Sequence, residues 1–208
     1  MAVERPQDPL EYERGFWGRG VSRVAGVDEV GRGPLAGPVV AAAVILPLGV
    51  SVPGATDSKA LTAEEREELA AEIYVRAASV SLGAASVREI DRINILRATA
   101  RAMDRALARL PESPEHVVVD GLPVRDLSWP HDAVVEGDAH VHSIACASIV
   151  AKVCRDRLMC RLHGRYPDYG WARNMGYGTR EHRAALRDKG LTPHHRTTFG
   201  LLQLELPF

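Results

Sequence analysis

Acidic residues follow three short apolar stretches of the sequence, each beside a glycine. The segments are Val27-Asp28-Glu29-Val30-Gly31, Val118-Val119-Asp120-Gly121 and Val135-Glu136-Gly137-Asp138. A carboxylate buried without a partner is costly, so each acid must hydrogen-bond to a turn or coordinate a cation. For any single acid the turn is the ordinary interpretation. Three such sites in one chain favour convergence on one sheet edge, where oxygen ligands without Cys or His indicate Mg²⁺ or Mn²⁺.

A pair of such ions is suited to phosphodiester hydrolysis, because two metals a few ångströms apart stabilise both the attacking and the leaving oxygen. The sequence contains no Gly-x-x-x-x-Gly-Lys phosphate loop, which gives nucleoside triphosphate chemistry little support. Asp28 and Glu29 are adjacent, and adjacent strand residues face opposite sides of a sheet. Both can serve one site only if the strand ends or bulges there, which Gly31 and Gly33 favour.

Five apolar runs that would position these acids predict strands over residues 23–27, 38–47, 79–87, 117–119 and 133–135. The glycine- and proline-rich segment between the first two predicts a hairpin-like turn or an irregular loop. Thr62 and Glu65 form a capping-box pattern that predicts a helix to about residue 75. Further helices are predicted over 89–110, about 140–162 and 179–189. This order predicts an α/β fold with a mixed sheet covered by helices.

The composition predicts a well-packed protein without a membrane span. Hydrophobic residues make up 46% of the 208 residues and aromatic residues only 5%, so aliphatic side chains must fill the core. No apolar run approaches the ~20 residues that a membrane helix needs. The N-terminal segment lacks the apolar stretch of a signal peptide, so we expect a cytoplasmic protein. Cys146, Cys154 and Cys160 contain no Cys-x-x-Cys pair and are predicted to be buried free thiols.

Charge is distributed unevenly along the chain, although the net charge is only −1. Residues 155–196 contain ten Lys or Arg against four Asp or Glu, a balance of +6. A basic C-terminal part suits a partner with a phosphate backbone. Two solvated amphipathic helices with Arg on their outer faces would also explain this charge. On charge alone we favour that explanation.

The motifs, taken in order, resemble ribonuclease HII, the bacterial type 2 ribonuclease H family. The matching segments are Gly26-Val27-Asp28-Glu29-Val30-Gly31-Arg32-Gly33-Pro34-Leu35-Ala36-Gly37-Pro38, Asp57-Ser58-Lys59, Ile93-Asn94-Ile95, Val119-Asp120-Gly121, Gly137-Asp138, Ser143-Ile144-Ala145, Ala151-Lys152-Val153, Arg155-Asp156, Gly176-Tyr177-Gly178-Thr179, His182 and His195-Arg196. They extend over about residues 23–199, nearly the whole chain. The first segment is long enough to be highly specific, whereas Asp-Gly or Gly-Tyr-Gly alone would mean nothing.

The resemblance implies a ribonuclease H-like mixed sheet flanked by helices, with a small C-terminal helical part. It implies a lead-in over residues 1–20, a catalytic core over 21–165 and a nucleic-acid-contacting segment over 166–208; the sequence suggests that the lead-in is weakly structured. The expected substrates are RNA–DNA hybrids and duplex DNA with single embedded ribonucleotides, cut by a monomer. The implied metal ligands are Asp28, Glu29, Asp120 and Asp138.

The resemblance also implies how the substrate is recognised. Gly31, Arg32 and Gly33 would contact the backbone around a ribonucleotide and recognise its 2′-hydroxyl, the group that distinguishes RNA from DNA. Tyr177 would pack on the neighbouring sugar. Two positions depart from the usual family pattern: Glu136 replaces a lysine beside a proposed ligand, and Thr198 replaces a serine.

Several polar residues are weaker candidates. Lys59, Lys152 and Ser143 are predicted to contact phosphate, with exposed lysines and a backbone cap as the alternatives. Asp156 is predicted to form a surface ion pair, and His182 to have a structural role. The segment His194-His195-Arg196 could approach the nucleic acid, and the three tryptophans are predicted to pack in the interior.

Three other functions share some of these features. A resolvase or integrase-like enzyme would use the same metal chemistry but would not need a 2′-hydroxyl, so the segment 31–33 and Tyr177 argue against it. A non-catalytic nucleic-acid-binding module leaves the converging acids unexplained, because acids repel phosphate unless a metal intervenes. A small-molecule phosphohydrolase does not account for the basic C-terminal segment.

Overall fold

A five-stranded mixed sheet forms the centre of the computed structural model, which describes residues 8–199. The strands are β1 (Val24–Val30), β2 (Val39–Ile45), β3 (Ser79–Ala85), β4 (His116–Asp120) and β5 (Asp132–Val134). They lie in the order β3-β2-β1-β4-β5. β2 is antiparallel to β1 and β3, whereas β4 and β5 continue the sheet in parallel. The predicted fold class is confirmed.

Helices cover both faces of this sheet. They are α1 (Glu11–Trp17), α2 (Ala63–Arg76), α3 (Val87–Ile93), α4 (Ile95–Ala108), α5 (Gly137–His140), α6 (His142–Arg165), α7 (Trp171–Asn174) and α8 (Arg180–Lys189). Successive β2 residues alternate between the two faces. Ala41 and Ala43 pack with residues of α4, and Ala42 and Val44 pack with residues of α6. Small side chains on β2 therefore place both helices close to the sheet.

Local sequence signals account for the ends of several helices. The predicted capping box is present at α2, where Thr62 accepts from the Glu65 backbone and Glu65 accepts from the Thr62 backbone. Thr179 caps α8, and Gly190 ends it with a φ of 76°. The predicted helix over 89–110 is instead two helices, because Asn94 adopts a φ of 68° between α3 and α4 and caps α4. Asn tolerates this left-handed backbone better than most residues.

The N-terminal segment is more ordered than expected. Within the predicted lead-in 1–20, the described residues form α1, so the expectation of weak structure was wrong there; residues 1–7 lie outside the described part. Glu13 of α1 is 1% exposed, and its carboxylate accepts from both the backbone N–H and the hydroxyl of Ser143, each at 2.8 Å. This contact anchors α1 to the first turn of α6.

Other expectations concern the membrane and the cysteines. No helix within residues 8–199 is long and apolar enough to cross a membrane. All three cysteines are free, but only Cys146 is buried. Cys154 is half-buried and Cys160 is exposed. The prediction of buried thiols therefore holds for Cys146 alone. Trp171 is fully buried, while Trp17 and Trp129 pack as partly buried side chains against the core.

Candidate active site

The proposed metal ligands lie at one edge of the sheet. β1 and β4 are parallel neighbours whose last paired residues are Val27 and Val119, so Asp28 and Asp120 follow at the same level. Asp138 comes from α5, directly after β5. The backbone N–H of Gly137 donates to Oδ1 of Asp120 at 2.7 Å, which holds the start of α5 against the end of β4.

The strand neither ends nor bulges at Asp28 and Glu29, contrary to expectation, since both residues keep a regular ladder with Ala42 and Ala41 and β1 continues to Val30. Asp28 therefore lies on the face of the sheet that α6 covers, as does its ladder partner Ala42. Glu29 faces the opposite side and lines a cavity of about 600 Å³ together with Asp120. β1 extends past its last pair with β4, so the two faces of the sheet meet beyond this edge. Asp28 and Glu29 lie on opposite faces, so they would serve one site only around this open edge.

The carboxylates repel one another. Burial raises the pKa of Asp28 well above its usual range, with further contributions from Glu29 and Asp120. Burial also raises the pKa of Glu29, although Arg32 opposes the shift. The pKa of Asp138 is raised to about 6 by burial and then by Asp120. Such a group of partly desolvated acids is what a bound cation would stabilise in its ionised form.

These residues fit a hard divalent ion in their donor chemistry. One oxygen of Asp28 accepts from the backbone of Glu29 at 2.7 Å, and one of Asp120 accepts from Gly137, which leaves the other oxygens for a cation. Within residues 8–199, no three carboxyl, thiol or imidazole groups stand close enough to form a finished metal cage.

The residues expected to recognise the ribonucleotide adjoin these acids. Arg32 Nη1 lies 3.1 Å from Glu29 Oε1 and so links the glycine loop, residues 31–38, to the acidic cluster. Tyr177 is 48% exposed. A Cβ placed on Gly33 would lie 3.5 Å from Cε1 of Tyr177. The glycine loop therefore contacts the acidic cluster through Arg32 and lies beside the tyrosine ring at Gly33.

Comparison with known proteins identifies this arrangement. A family model for ribonuclease HII matches residues 25–201. The chain belongs to the ribonuclease HII family. Ribonuclease HII from Thermosynechococcus vestitus is 57% identical over 192 residues, covering 91% of this chain and 89% of its own. Ribonuclease HII from Geobacillus thermodenitrificans is 52% identical over 198 residues, covering 95% of this chain and 76% of its own. The chain is thus a ribonuclease H, a hydrolase that acts as an endonuclease.

Solved structures show the same fold. Ribonuclease H2 from Pyrococcus horikoshii superposes with a TM-score of 0.77 at 27% identity, covering 88% of this chain and 96% of that one. Ribonuclease HII from Archaeoglobus fulgidus, solved in complex with PCNA, has a TM-score of 0.71 at 26% identity, covering 85% and 95%. A ribonuclease HIII solved with Mn²⁺ shares the fold, with a TM-score of 0.69 at 20% identity, covering 89% and 69%. Metal dependence is general for the ribonuclease H family.

The predicted phosphate contacts of this ribonuclease HII family member differ in their surroundings. Lys59 Nζ lies 3.9 Å from Asp138, and its side chain is 81% exposed, so it can meet an incoming phosphate. Lys152 pairs with Asp156 at 2.7 Å, which supplies the ion pair predicted for that acid. Ser143 is fully buried, with its hydroxyl committed to Glu13. Its predicted phosphate contact is wrong because the side chain does not reach the surface.

Two arginines were assigned by sequence to the basic surface but are fully buried. Arg155 donates to the carbonyls of Pro38, Ala36 and Met175 at 2.9–3.1 Å. The available signal was helical spacing, since Arg155 lies four residues from Ala151 and four from Met159, both buried on α6. The second is Arg196, which donates to carbonyls of residues 31, 32 and 37.

A buried pair of histidines, His182 and His195, holds the backbone of Tyr177 through a hydrogen bond to its carbonyl. The Thr192 backbone N–H donates to Nδ1 of His195, so the proton of His195 is on Nε2, which lies 3.0 Å from Nε2 of His182. Nε2 of His182 also accepts from Trp171, which leaves the Nδ1 proton of His182 to donate to the Tyr177 carbonyl at 2.9 Å. The structural role predicted for His182 agrees with this network. His195 is 2% exposed, so it does not reach nucleic acid as suggested.

Proposed function

We propose that this enzyme cleaves the RNA strand of RNA–DNA hybrids and cuts on the 5′ side of a single ribonucleotide embedded in duplex DNA. The observation that supports this specificity most strongly is the closeness of Gly33 to the Tyr177 ring, since a Cβ on Gly33 would lie 3.5 Å from it, next to Arg32, which pairs with Glu29. A 2′-hydroxyl held by the glycine loop at the acidic cluster belongs to the nucleotide at the scissile phosphate. The next sugar then lies against Tyr177, where a deoxyribose fits and an extra hydroxyl would clash.

The acidic cluster provides for hydrolysis. Asp28, Glu29, Asp120 and Asp138 would hold Mg²⁺ or Mn²⁺, two ions during catalysis. When bound, such ions activate water and neutralise charge that develops on the phosphoryl oxygens. The protein's own part is to fix the acids on β1, β4 and α5 and to present the scissile phosphate. Lys59 is positioned to attract that phosphate because its ammonium group is exposed beside Asp138.

The basic face of α8 is proposed to contact the duplex backbone. Arg180 and Arg187 are exposed and, with Arg183 and Gly178, line a shallow surface cavity directly after Tyr177. Phosphate contacts there would set the register of the duplex against Tyr177 without recognising sequence. Lys152 is a weaker member of this set, since its ammonium group is paired with Asp156.

A single-ribonucleotide duplex tests the chemistry. Water attacks the phosphorus, the bond to the 3′-oxygen of the preceding nucleotide breaks, and that oxygen takes a proton. We therefore expect a 3′-hydroxyl and a 5′-phosphate, with the ribonucleotide at the 5′ end of the downstream fragment. A 2′,3′-cyclic phosphate would instead identify the 2′-hydroxyl of the substrate as the nucleophile and contradict the proposal. End-group analysis of the purified fragments distinguishes the two outcomes.

This activity places the enzyme in the removal of ribonucleotides during DNA replication and repair. We further propose that it acts in the cytoplasm as a monomer.

A further inference from the structure

Two arginines, Arg155 and Arg196, are buried without an acidic partner in the described part of the chain, and fold stability alone does not explain this arrangement. Both guanidinium groups are fully buried, and they lie near enough to each other for their like charges to interact unfavourably. All the hydrogen bonds they make within residues 8–199 go to backbone carbonyls rather than to a carboxylate. Burying an arginine without a paired acid is costly, and apolar residues often serve stability as well.

The carbonyls that accept hydrogen bonds from Arg155 belong to two separate segments. Nε donates to Pro38 at 3.0 Å and Nη2 to Ala36 at 3.1 Å, both in the glycine loop. Nη1 donates to Met175 at 2.9 Å, two residues before Tyr177. The planar guanidinium group of Arg155 therefore bridges the glycine loop and the turn that carries Tyr177.

Arg196 holds the other end of the same loop. Its Nη1 donates to the carbonyl of Arg32 at 2.8 Å, and its Nη2 donates to the carbonyls of Gly31 and Gly37 at 2.5 and 2.8 Å. The backbone N–H groups of residues 35 and 36 point to the carbonyl of Gly176, which joins the loop directly to the tyrosine turn.

We propose that Arg155 and Arg196 are positioning residues that hold the glycine loop in fixed register with Tyr177 and thereby set the preference for an RNA–DNA junction. This inference rests on the proposed function. At such a junction a ribonucleotide is followed by a deoxyribonucleotide. Its recognition needs a 2′-hydroxyl contact and a deoxyribose contact at one fixed spacing. A continuous RNA strand places a ribose at the Tyr177 position as well, so its cleavage already lacks the favourable deoxyribose contact and depends less on that spacing. Loss of register should therefore affect the junction substrate more than the hybrid.

The test compares kcat/KM on a single-ribonucleotide duplex with kcat/KM on a continuous RNA–DNA hybrid. Arg155→Lys keeps the charge but cannot span three carbonyls. We expect the ratio of the two values to fall about tenfold, the size of effect that loss of one charge-assisted hydrogen bond produces. Arg157→Lys is the matched control, because Arg157 lies on the same helix but is exposed and paired with Glu67. It should leave the ratio unchanged.

Two further measurements separate positioning from general structural support. Mn²⁺ binding, followed by calorimetry, should match wild type in Arg155→Lys. In a Tyr177→Ala background, Arg155→Lys should lower the ratio no further, because both changes remove one interaction. Arg196→Lys provides the same test if Arg155→Lys does not fold.

The outcomes distinguish the inference from the proposed function. An Arg155→Lys enzyme whose activity falls equally on both substrates would overturn the positioning role, provided that wild type discriminates RNA from DNA. A wild-type enzyme that cuts an all-DNA duplex as well as either substrate would overturn the proposed function and this inference together.

Discussion

Gly31 and Gly33 allow the stability and the activity of the glycine loop to be separated by two matched substitutions. Gly31 has a φ of 95°, and a Cβ there would overlap with Nε of Arg155 and lie 2.8 Å from the Pro38 carbonyl. Gly33 has no such constraint, since its Cβ would meet only Tyr177, at an ordinary contact distance of 3.5 Å. Alanine should therefore destabilise the fold at the first position and be accepted at the second.

The expected changes in stability follow from these distances and from the backbone angle of Gly31. A non-glycine residue at positive φ costs at least about 1–2 kcal/mol, and the overlap with Arg155 adds to this. For a chain of this length, each 1 kcal/mol lowers Tm by about 2–4 °C, so Gly31→Ala should lower Tm by several degrees. Gly33→Ala should change the free energy of unfolding by no more than about 0.5 kcal/mol.

Activity should show a different pattern. The methyl group of Gly33→Ala occupies the space between the loop and the Tyr177 ring, where the ribose must approach. We expect kcat/KM on a single-ribonucleotide duplex to fall at least about tenfold, equivalent to about 1.4 kcal/mol of transition-state stabilisation. Calorimetric unfolding and gel-based cleavage measure the two effects. Wild-type cleavage by Gly33→Ala, or wild-type Tm for Gly31→Ala, would refute the reasoning.

Three further predictions concern the acids, the basic face and the buried histidines. Asp138→Asn should lower cleavage on the order of a hundredfold or more while Tm without divalent ions stays constant or rises, because the change relieves repulsion; wild-type turnover would remove Asp138 from the ligand set. Replacing the three α8 arginines together with glutamine should flatten the log–log salt dependence of duplex binding by about 0.9 for each phosphate that the variant no longer neutralises, and an unchanged slope would place the duplex elsewhere. The arginines are Arg180, Arg183 and Arg187. Burial, followed by the neighbouring His182 imidazole, depresses the pKa of His195 to about 3, so the stability it contributes is present above about pH 6.5 and is lost as pH falls toward 3. Chemical unfolding of His195→Asn should therefore lose stability less steeply than wild type between about pH 6.5 and pH 5, and parallel curves would contradict the assignment.

The placement of the acids at neighbouring strand ends could be predicted from sequence because strand ends and caps are local signals. Asp120 follows three valines and Asp28 follows the apolar run 24–27, and neighbouring parallel strands bring such ends together. The Thr62 cap and the apolar strands likewise depend on nearby residues.

The features that sequence did not predict depend on contacts between distant segments. The ladder of β1 stays regular at Asp28 and Glu29 while β4 stops short of the end of β1, which no local pattern indicates. Ser143 is buried because α1 returns across the start of α6 with Glu13. Arg155 resembles any surface arginine until the glycine loop and the Tyr177 turn are folded around it.

The central claim is that the acidic cluster, the glycine loop and Tyr177 together select a ribonucleotide for cleavage. The most direct test uses two DNA duplexes of identical sequence, one carrying a single ribonucleotide, each incubated with and without Mg²⁺ and mapped at nucleotide resolution. We predict one cut, immediately 5′ of the ribonucleotide, only in the duplex that contains it and only with Mg²⁺. Equal cutting of the all-DNA duplex would contradict the account and favour a resolvase-like nuclease.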